Sequence, residues 1–435
     1  MLRAGPPESS RLGHHGAVSR SEPEIVHPVG PEAVPDWARA MATTFLRDPR
    51  DADADGWIEG LTRSWEPARA WGARVADRWV ATLRTEPRML TVPGAGDACP
   101  ELPVDAVTNV TVAATHRRRG LMREMLTGSL QAARERGDAA SVLIAAQWQI
   151  YGRFGYAPAT LSADYLLDRR RPGAVCPGDP SRLRQVDRDE FRRLAPAVFH
   201  HARRGRAGQM DRAGSWWSRA LGGDGYPGRP GLPHNWLVHE GDGGPDGLLA
   251  WTAHGESNLD SPLQALDVWL LASAGDAAYR NLWAYLTSVD LLDAVRLTNR
   301  PPHEPARWLL DDARTLSVTR LVDLLWLRLL DVPAALAARR YACGGEVVLD
   351  VHDDEAGFTG GRYRLAAKPG GASCERTDAT ADLTIAQRAL ASIYLGGFRL
   401  AELPPGSATE LTPGALALVD LMFSTPLPPW NATWF

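Results

Sequence analysis

Two short motifs carry residues whose types and spacing suit chemistry. The first is Arg117-Arg118-Arg119-Gly120-Leu121-Met122, which follows an alternating stretch over 105–113 and opens an apolar helical stripe of Leu121, Met122, Met125, Leu126 and Leu130. A strand-to-helix turn of this kind presents backbone N–H groups that have no intrahelical partner, at the positive end of the helix dipole. Glycine lets the backbone turn tightly there. Phosphate suits such a turn, and adjacent arginines strengthen the site; the competing reading is a solvated arginine run. The second motif is Ile150-Tyr151-Gly152-Arg153-Phe154-Gly155-Tyr156. It sets a phenol on a short helix closed by Gly155. Tyrosine has an ordinary pKa near 10, so at neutral pH it is a proton reservoir rather than a base. Core packing alone also accounts for such a tyrosine.

The elements that must position these motifs alternate along the chain. A strand over 24–27 precedes a helix over 31–47, whose Pro31 suits a first helical turn. Strands over 71–75, 79–83 and 87–92 lead to the strand over 105–113. A helix over 121–136 stops at Gly137, and a buried strand over 141–146 precedes the short helix over 150–154. The charged, proline-bearing stretch 168–180 reads as a linker. A second unit has a strand over 182–185, a helix over 188–201, a Gly/Pro/Asp-rich loop over 222–233, strands over 236–239 and 248–254 and a helix over 277–287. A third starts near Leu325, with strands over 346–351, 361–368 and 381–385 and a helix over 387–395. The expected division is a disordered arm over 1–23, then units over 24–167, 168–320 and 321–435. The fold class is α+β, with α/β-like local order.

Composition bounds the rest. The chain has 435 residues, 44% of them hydrophobic and 23% charged, which fits a soluble globular protein of several domains. A net charge of −4 gives no general reason to expect nucleic acid or an anionic membrane as partner. Lys368 stands alone among arginines, a pattern of codon usage rather than function. Cys99, Cys176, Cys343 and Cys374 form no C-x-x-C pair and have no histidine at zinc spacing, so a reducing cytoplasm fits best. The first residues have no apolar core of a secretory signal, and the apolar run 321–330 is too short to span a bilayer. No metal is expected. His200, His201, His234 and His239 lack suitable partners, and Asp51, Asp53 and Asp55 lack the closing glutamate of a calcium loop. Trp216 and Trp217 read as packing rather than an aromatic cage.

Taken together, the two motifs resemble the acetyl-CoA-binding core of the GNAT superfamily of N-acetyltransferases. The wording VAATHRRRGLM and IYGRFGYAPAT, with the later LWLRLLDVPAALAARRY and SIYLGGF, more closely resembles the Eis (enhanced intracellular survival) family. That resemblance covers residues 24–435 and implies tandem GNAT folds followed by a sterol carrier protein-like domain. By resemblance, Val110, Thr111 and Val112 would bond the pantetheine arm of acetyl-CoA. Arg117, Arg118, Arg119, Gly120, Leu121, Met122 and Arg123 would wrap its pyrophosphate, while Ala146 and Gln147 line the other side. Tyr151 would be the general acid. The C-terminal carboxylate of Phe435 would be the general base or an anchor for the amine. The second unit has no phosphate turn and should not bind CoA. The family assembles as hexamers and acetylates amines of small molecules, so neither nucleic acid nor membrane is an expected partner.

Departures from the family pattern point to the acceptor. Phe45 and Trp57 align with pocket aromatics, but Arg47 stands where an aspartate is expected, with Asp48 one residue away. Asn109 replaces an aromatic, and Trp434 replaces an acidic residue. Fewer carboxylates disfavour a polycationic aminoglycoside and favour a single amine on a larger metabolite. Two other readings remain open at this point: transfer of a longer acyl chain, admitted by the smaller Asn109, and a non-catalytic binder of CoA or an apolar ligand.

Overall fold

The computed structural model describes residues 22–52, 56–94, 98–221, 235–255, 264–354, 357–368 and 370–435. Residues 1–21 of the arm expected over 1–23, Asp53, Asp55, the loop 222–233 and His234 lie outside them.

Strand β1 (Glu24–Val26) leads through helices α1 (Val34–Thr44) and α2 (Trp57–Arg63) to the antiparallel strands β2 (Ala70–Val75), β3 (Arg78–Thr91) and β4 (Glu101–Val112). Helix α3 (Leu121–Glu135) then crosses to β5 (Ala140–Ile144), which lies parallel to β4. The expected stripe is buried on α3 at Leu121, Met125, Leu126 and Leu130. Helix α4 (Trp148–Tyr151) and β6 (Ala157–Pro158) follow. The two strands expected over 79–83 and 87–92 are one strand, β3, despite Pro87. Pairing with β2 ends at Arg84, so the N–H that proline lacks falls on an edge free of β2.

The second sheet is built from β7 (Leu161–Asp168), β8 (Leu183–Val186), β9 (Asn235–Gly241), β10 (Gly244–His254), β11 (Gln264–Ser273), β12 (Leu292–Arg300) and β13 (Leu316–Asp323). Helices α5 (Arg188–Arg203), α6 (Gly214–Ala220) and α7 (Asp276–Ser288) belong to this unit. Its strand order is β13-β7-β12-β11-β10-β9-β8. Strand β14 (Leu325–Leu329) then returns to the first sheet, whose order is β1-β2-β3-β4-β5-β14-β6.

The first two units therefore exchange strands. β7 inserts antiparallel between β12 and β13, and β14 inserts antiparallel between β5 and β6. The division expected from sequence puts 161–167 with the first unit and 321–330 with the third, whereas strand pairing puts β7 in the second sheet and β14 in the first. An apolar run marks a strand but does not say which sheet receives it.

The third unit contains α8 (Val332–Ala338), β15 (Gly345–His352), β16 (Gly361–Lys368), β17 (Gly371–Arg376), β18 (Leu383–Ala386), α9 (Gln387–Ile393), β19 (Ala408–Glu410) and α10 (Ala415–Phe423). Its sheet order is β17-β16-β15-β18-β19. One apolar core runs from Leu325, Leu327 and Leu329 of β14 to Leu349 and Leu390 of the third unit. The fold is α+β throughout. Among the described residues, no helix is long and apolar enough to cross a membrane.

Candidate active site

β4 and β5 pair only from Val104 to Ala106, opposite Ala140 to Val142. Beyond that point they part, and the β5-facing edge of Val110, Thr111 and Val112 is left without a strand partner. A cleft of about 870 Å³ fills the opening. It is lined by Val110–Val112, the whole run from Arg117 to Arg123, Ala146, Gln147 and Tyr151. Every residue assigned by resemblance to acetyl-CoA therefore borders one space, of a size usual for small-molecule sites.

The turn beneath the cleft fits a pyrophosphate. Arg118 and Gly120 both adopt positive φ, 64° and 84°. Gly120 caps the fifteen-residue α3 without a side-chain bond to its first amides, and a Cβ built there meets nothing within 4 Å. An anion can approach these N–H groups directly. Among the described residues, no carboxylate forms an ion pair with Arg117, Arg118, Arg119 or Arg123. Arg117 reaches only the Val112 carbonyl, at 3.4 Å, and Arg119 only that of Thr115, at 3.4 Å.

Tyr151 ends α4 at the mouth of the β4–β5 opening. It is 7% exposed, and burial pushes its phenol up to about 12. Its hydroxyl makes no hydrogen bond to the described residues, so it can serve a guest in the cleft. The turn behind it is held by Arg328 of β14. The Arg328 guanidinium donates to the Phe154 carbonyl at 2.7 Å and to both oxygens of Asp353 in the third unit, at 3.0 and 2.8 Å. It leaves no room for a side chain at Gly155.

A second, smaller pocket of about 150 Å³ lies across β4. Arg47, Trp57, Asn109, Trp434 and Phe435, all expected at the acceptor site, line it together. Two expected members do not. Phe45 borders the donor cleft instead. Asp48 lines neither space: its carboxylate is bound by Arg50 at 2.5 Å, and that side-chain bond holds it down at about 2. It is therefore no replacement for the missing pocket aspartate.

The sequence reading missed Arg84, Glu86, Trp216 and Arg219, which also line the pocket. Arg84, Glu86 and Arg88 alternate along β3 and so share a face, a spacing that could have revealed them. Glu86 accepts from both arginines. Burial opposes its charge, but Arg84 and Arg88 outweigh burial and hold it at about 2. Trp216 sits against the Arg212 guanidinium, 3.9 Å from ring centroid to Cζ, with Phe199 on the same cation at 3.8 Å. It lines the pocket as well as packing.

The two spaces meet at a β-bulge. Asn109 has φ 55°, and the β3–β4 register slips between Thr82 and Arg84. Asparagine tolerates this left-handed conformation better than most residues. The bulge turns Asn109 toward the small pocket while Val110, its chain neighbour, borders the cleft.

Phe435 arrives on a tail fixed by the second unit. Asn431 and Thr433 are fully buried. Trp430 N–H donates to the Ala207 carbonyl at 3.0 Å, Ala432 N–H to Gln209 at 3.2 Å, and the Thr433 hydroxyl to the Met210 carbonyl at 3.1 Å. Arg212 donates to the Ala432 carbonyl at 2.9 Å, and the Trp216 indole to that of Trp434 at 2.7 Å. Among the described residues there is no cluster of three or more potential metal ligands. His239 instead pairs with Asp246 at 2.5 Å.

A splayed β4–β5 pair above a glycine-capped phosphate turn defines the GNAT class of N-acetyltransferases. Family models agree: residues 26–159 and 208–329 each match an acetyltransferase (GNAT) domain, and 332–432 match a sterol carrier protein domain. An uncharacterized N-acetyltransferase of Streptomyces avermitilis is 37% identical over 428 residues, covering 96% of this chain and 100% of that one. The N-acetyltransferase Eis of Mycobacterium tuberculosis is 33% identical over 362 residues, covering 80% of this chain and 83% of that one. The crystal structure of Eis1 from Mycobacterium abscessus superposes with a TM-score of 0.82 at 30% identity, covering 95% of this chain and 100% of that one. The chain belongs to the Eis family of N-acetyltransferases.

Proposed function

We propose that the chain moves an acetyl group from acetyl-CoA in the β4–β5 cleft to a primary amine of a small molecule in the pocket closed by Phe435. One observation carries this reading: Asn109 and Val110, consecutive in β4, border the acceptor pocket and the donor cleft. A nucleophile and a thioester held in the two spaces face each other across one bulge.

The free amine attacks the thioester carbonyl carbon, the C–S bond breaks, and the departing sulfur takes the Tyr151 phenolic proton. The proton lost from nitrogen passes to the Phe435 carboxylate, directly or through water, and exchange with solvent restores the phenol. An α-carboxylate has an ordinary pKa of about 3.3–3.7. Its stronger contribution is therefore to attract and orient the ammonium before deprotonation. Backbone groups of Val110–Val112 would bind the pantetheine arm, and the Arg117–Arg123 turn the pyrophosphate. By family resemblance the working assembly is a hexamer.

The acceptor should carry one amine. Glu86, a carboxylate in the pocket lining, is already engaged by Arg84 and Arg88 and is not available to a second ammonium. Trp57, Trp216 and Trp434 offer flat apolar walls to the rest of the molecule. A thiol-release assay over an amine panel tests this. Arylalkyl monoamines should exceed aminoglycosides by about tenfold or more in kcat/KM, which is about 1.4 kcal/mol. Equal or better use of aminoglycosides would overturn the acceptor assignment. Absence of thiol release with every amine would overturn the acetyl-transfer reading.

A further inference from the structure

The second unit keeps the shape of a donor cleft but closes its depth. β11 and β12 run parallel and their pairing ends at Val268, opposite Leu297, so β11 continues unpartnered on that side, as β4 does. Arg300 fills the deep end. Its guanidinium donates to the Leu271 carbonyl at 2.8 Å and to Glu304 at 2.8 Å. The turn beneath is unlike the first: Gly275 is extended, with φ −164°, and Asp276 begins α7. A carboxylate at that helix end disfavours a pyrophosphate.

A cavity of about 450 Å³ nevertheless remains outside the plug. Two arginines of the turn after α5, Arg204 and Arg206, line it, and neither has an ion pair or side-chain hydrogen bond to a described residue. Arg203 beside them is 3% exposed, pairs with Glu101 through one nitrogen, and leaves Nε and Nη1 without partners. The carboxylates in the lining are Glu304, engaged by Arg300, and Asp276. His201 adds a further basic group at the rim. Burial opposes the charge of Arg206 and lowers its pKa, while Glu304 offsets part of that cost. Arg204 and Arg206, two guanidiniums at one cavity with no ion pair to a described residue, are the kind of donors that hold an oxyanion. Leu270, Leu271 and Trp430 supply an apolar wall beside them.

We propose that this cavity binds a small organic anion, its phosphate or carboxylate head held by Arg204 and Arg206 and its apolar body laid against Leu270, Leu271 and Trp430. The site is separate from both spaces of the active site. It shares a wall with the C-terminal tail, because Trp430 and Ala432 line it and Gln209, also in the lining, accepts from the Ala432 amide.

The test uses phenyl phosphate as probe and the full chain saturated with CoA, so that Arg117–Arg123 are occupied. Calorimetric titration should show one probe per chain. The R204Q/R206Q variant, checked for an unchanged melting temperature and CoA affinity, should bind at least about tenfold more weakly, a loss of about 1.4 kcal/mol. No probe binding at millimolar concentration, or equal binding by the variant, would overturn the site. If the variant does not fold, arginine modification of the unaltered chain by phenylglyoxal, mapped by mass spectrometry, decides. Phenyl phosphate should protect Arg204 and Arg206 selectively, and equal modification with and without probe counts against the proposal.

Discussion

At Tyr151, burial and chemistry point the same way. The phenolate is the charged form, so removal from water disfavours it and moves the pKa up, to about 12. The proton therefore stays on the oxygen across the range in which a free amine can attack. If Tyr151 supplies the proton to the leaving sulfur, kcat should show no loss from phenol ionisation between pH 7 and 10. An unshifted phenol would lose half its activity near pH 10. The Y151F variant should keep its CoA affinity within about twofold and lose on the order of 10²-fold in kcat, the usual scale of general acid catalysis. Equal turnover by Y151F, measured by thiol release, removes the residue from the acid role. Tyr151 and the arginine turn were legible in the sequence because their neighbours in the chain are also their neighbours in the site. Arg219 was not, because its place in the pocket depends on α6 of the second unit meeting β3 of the first.

At the scale of elements, the bulge in β4 decides how donor and acceptor meet. Alternation over 105–113 correctly marks a strand, but it assumes an unbroken period of two. The period breaks at Asn109, whose φ of 55° adds a residue against β3. Hence the sequence could locate the strand without showing that its last residues divide between two spaces. A β-branched residue is strained in this conformation, whereas glycine is not. N109V should lower stability by about 1–2 kcal/mol, and N109G by less than about 1 kcal/mol. N109V should also reduce kcat more than it changes KM for acetyl-CoA, because the phosphate turn lies beyond the bulge. Chemical denaturation and steady-state kinetics of the two variants check both statements. A larger loss in N109G than in N109V would mean that the asparagine side chain matters more than the backbone it permits. The strand exchange was hidden for a related reason: β7 and β14 read as ordinary apolar runs, and only long-range pairing assigns them.

Across the whole molecule, all three units take part in bringing Phe435 to the pocket it lines. The first supplies the donor cleft and one wall of the acceptor pocket. The third carries the chain back after α10, and the second grips residues 430–434 so that Phe435 reaches the pocket. The two prolines, Pro428 and Pro429, and the terminal aromatics made an anchored end legible in the sequence, but not its anchor: Gln209, Met210 and Arg212 lie more than two hundred positions earlier. These bonds end at the Trp434 carbonyl. Everything up to that point can stay in place when the chain is lengthened, while the carboxylate of Phe435 becomes an amide. A two-glycine extension after Phe435 should therefore leave the melting temperature within about 2 °C, since less than about 0.5 kcal/mol of packing changes. Turnover should fall by on the order of 10²-fold if the carboxylate orients or deprotonates the amine. Acetyl-CoA affinity should be unchanged, because the donor cleft touches no tail residue. The N431A variant separates position from charge. It keeps the carboxylate but removes the side chain that bonds the Thr433 amide and carbonyl, at 3.0 and 2.7 Å. It should raise KM for the amine more than it lowers kcat. A fully active extended enzyme would mean that the tail docks only for stability, and that amine deprotonation is left to water.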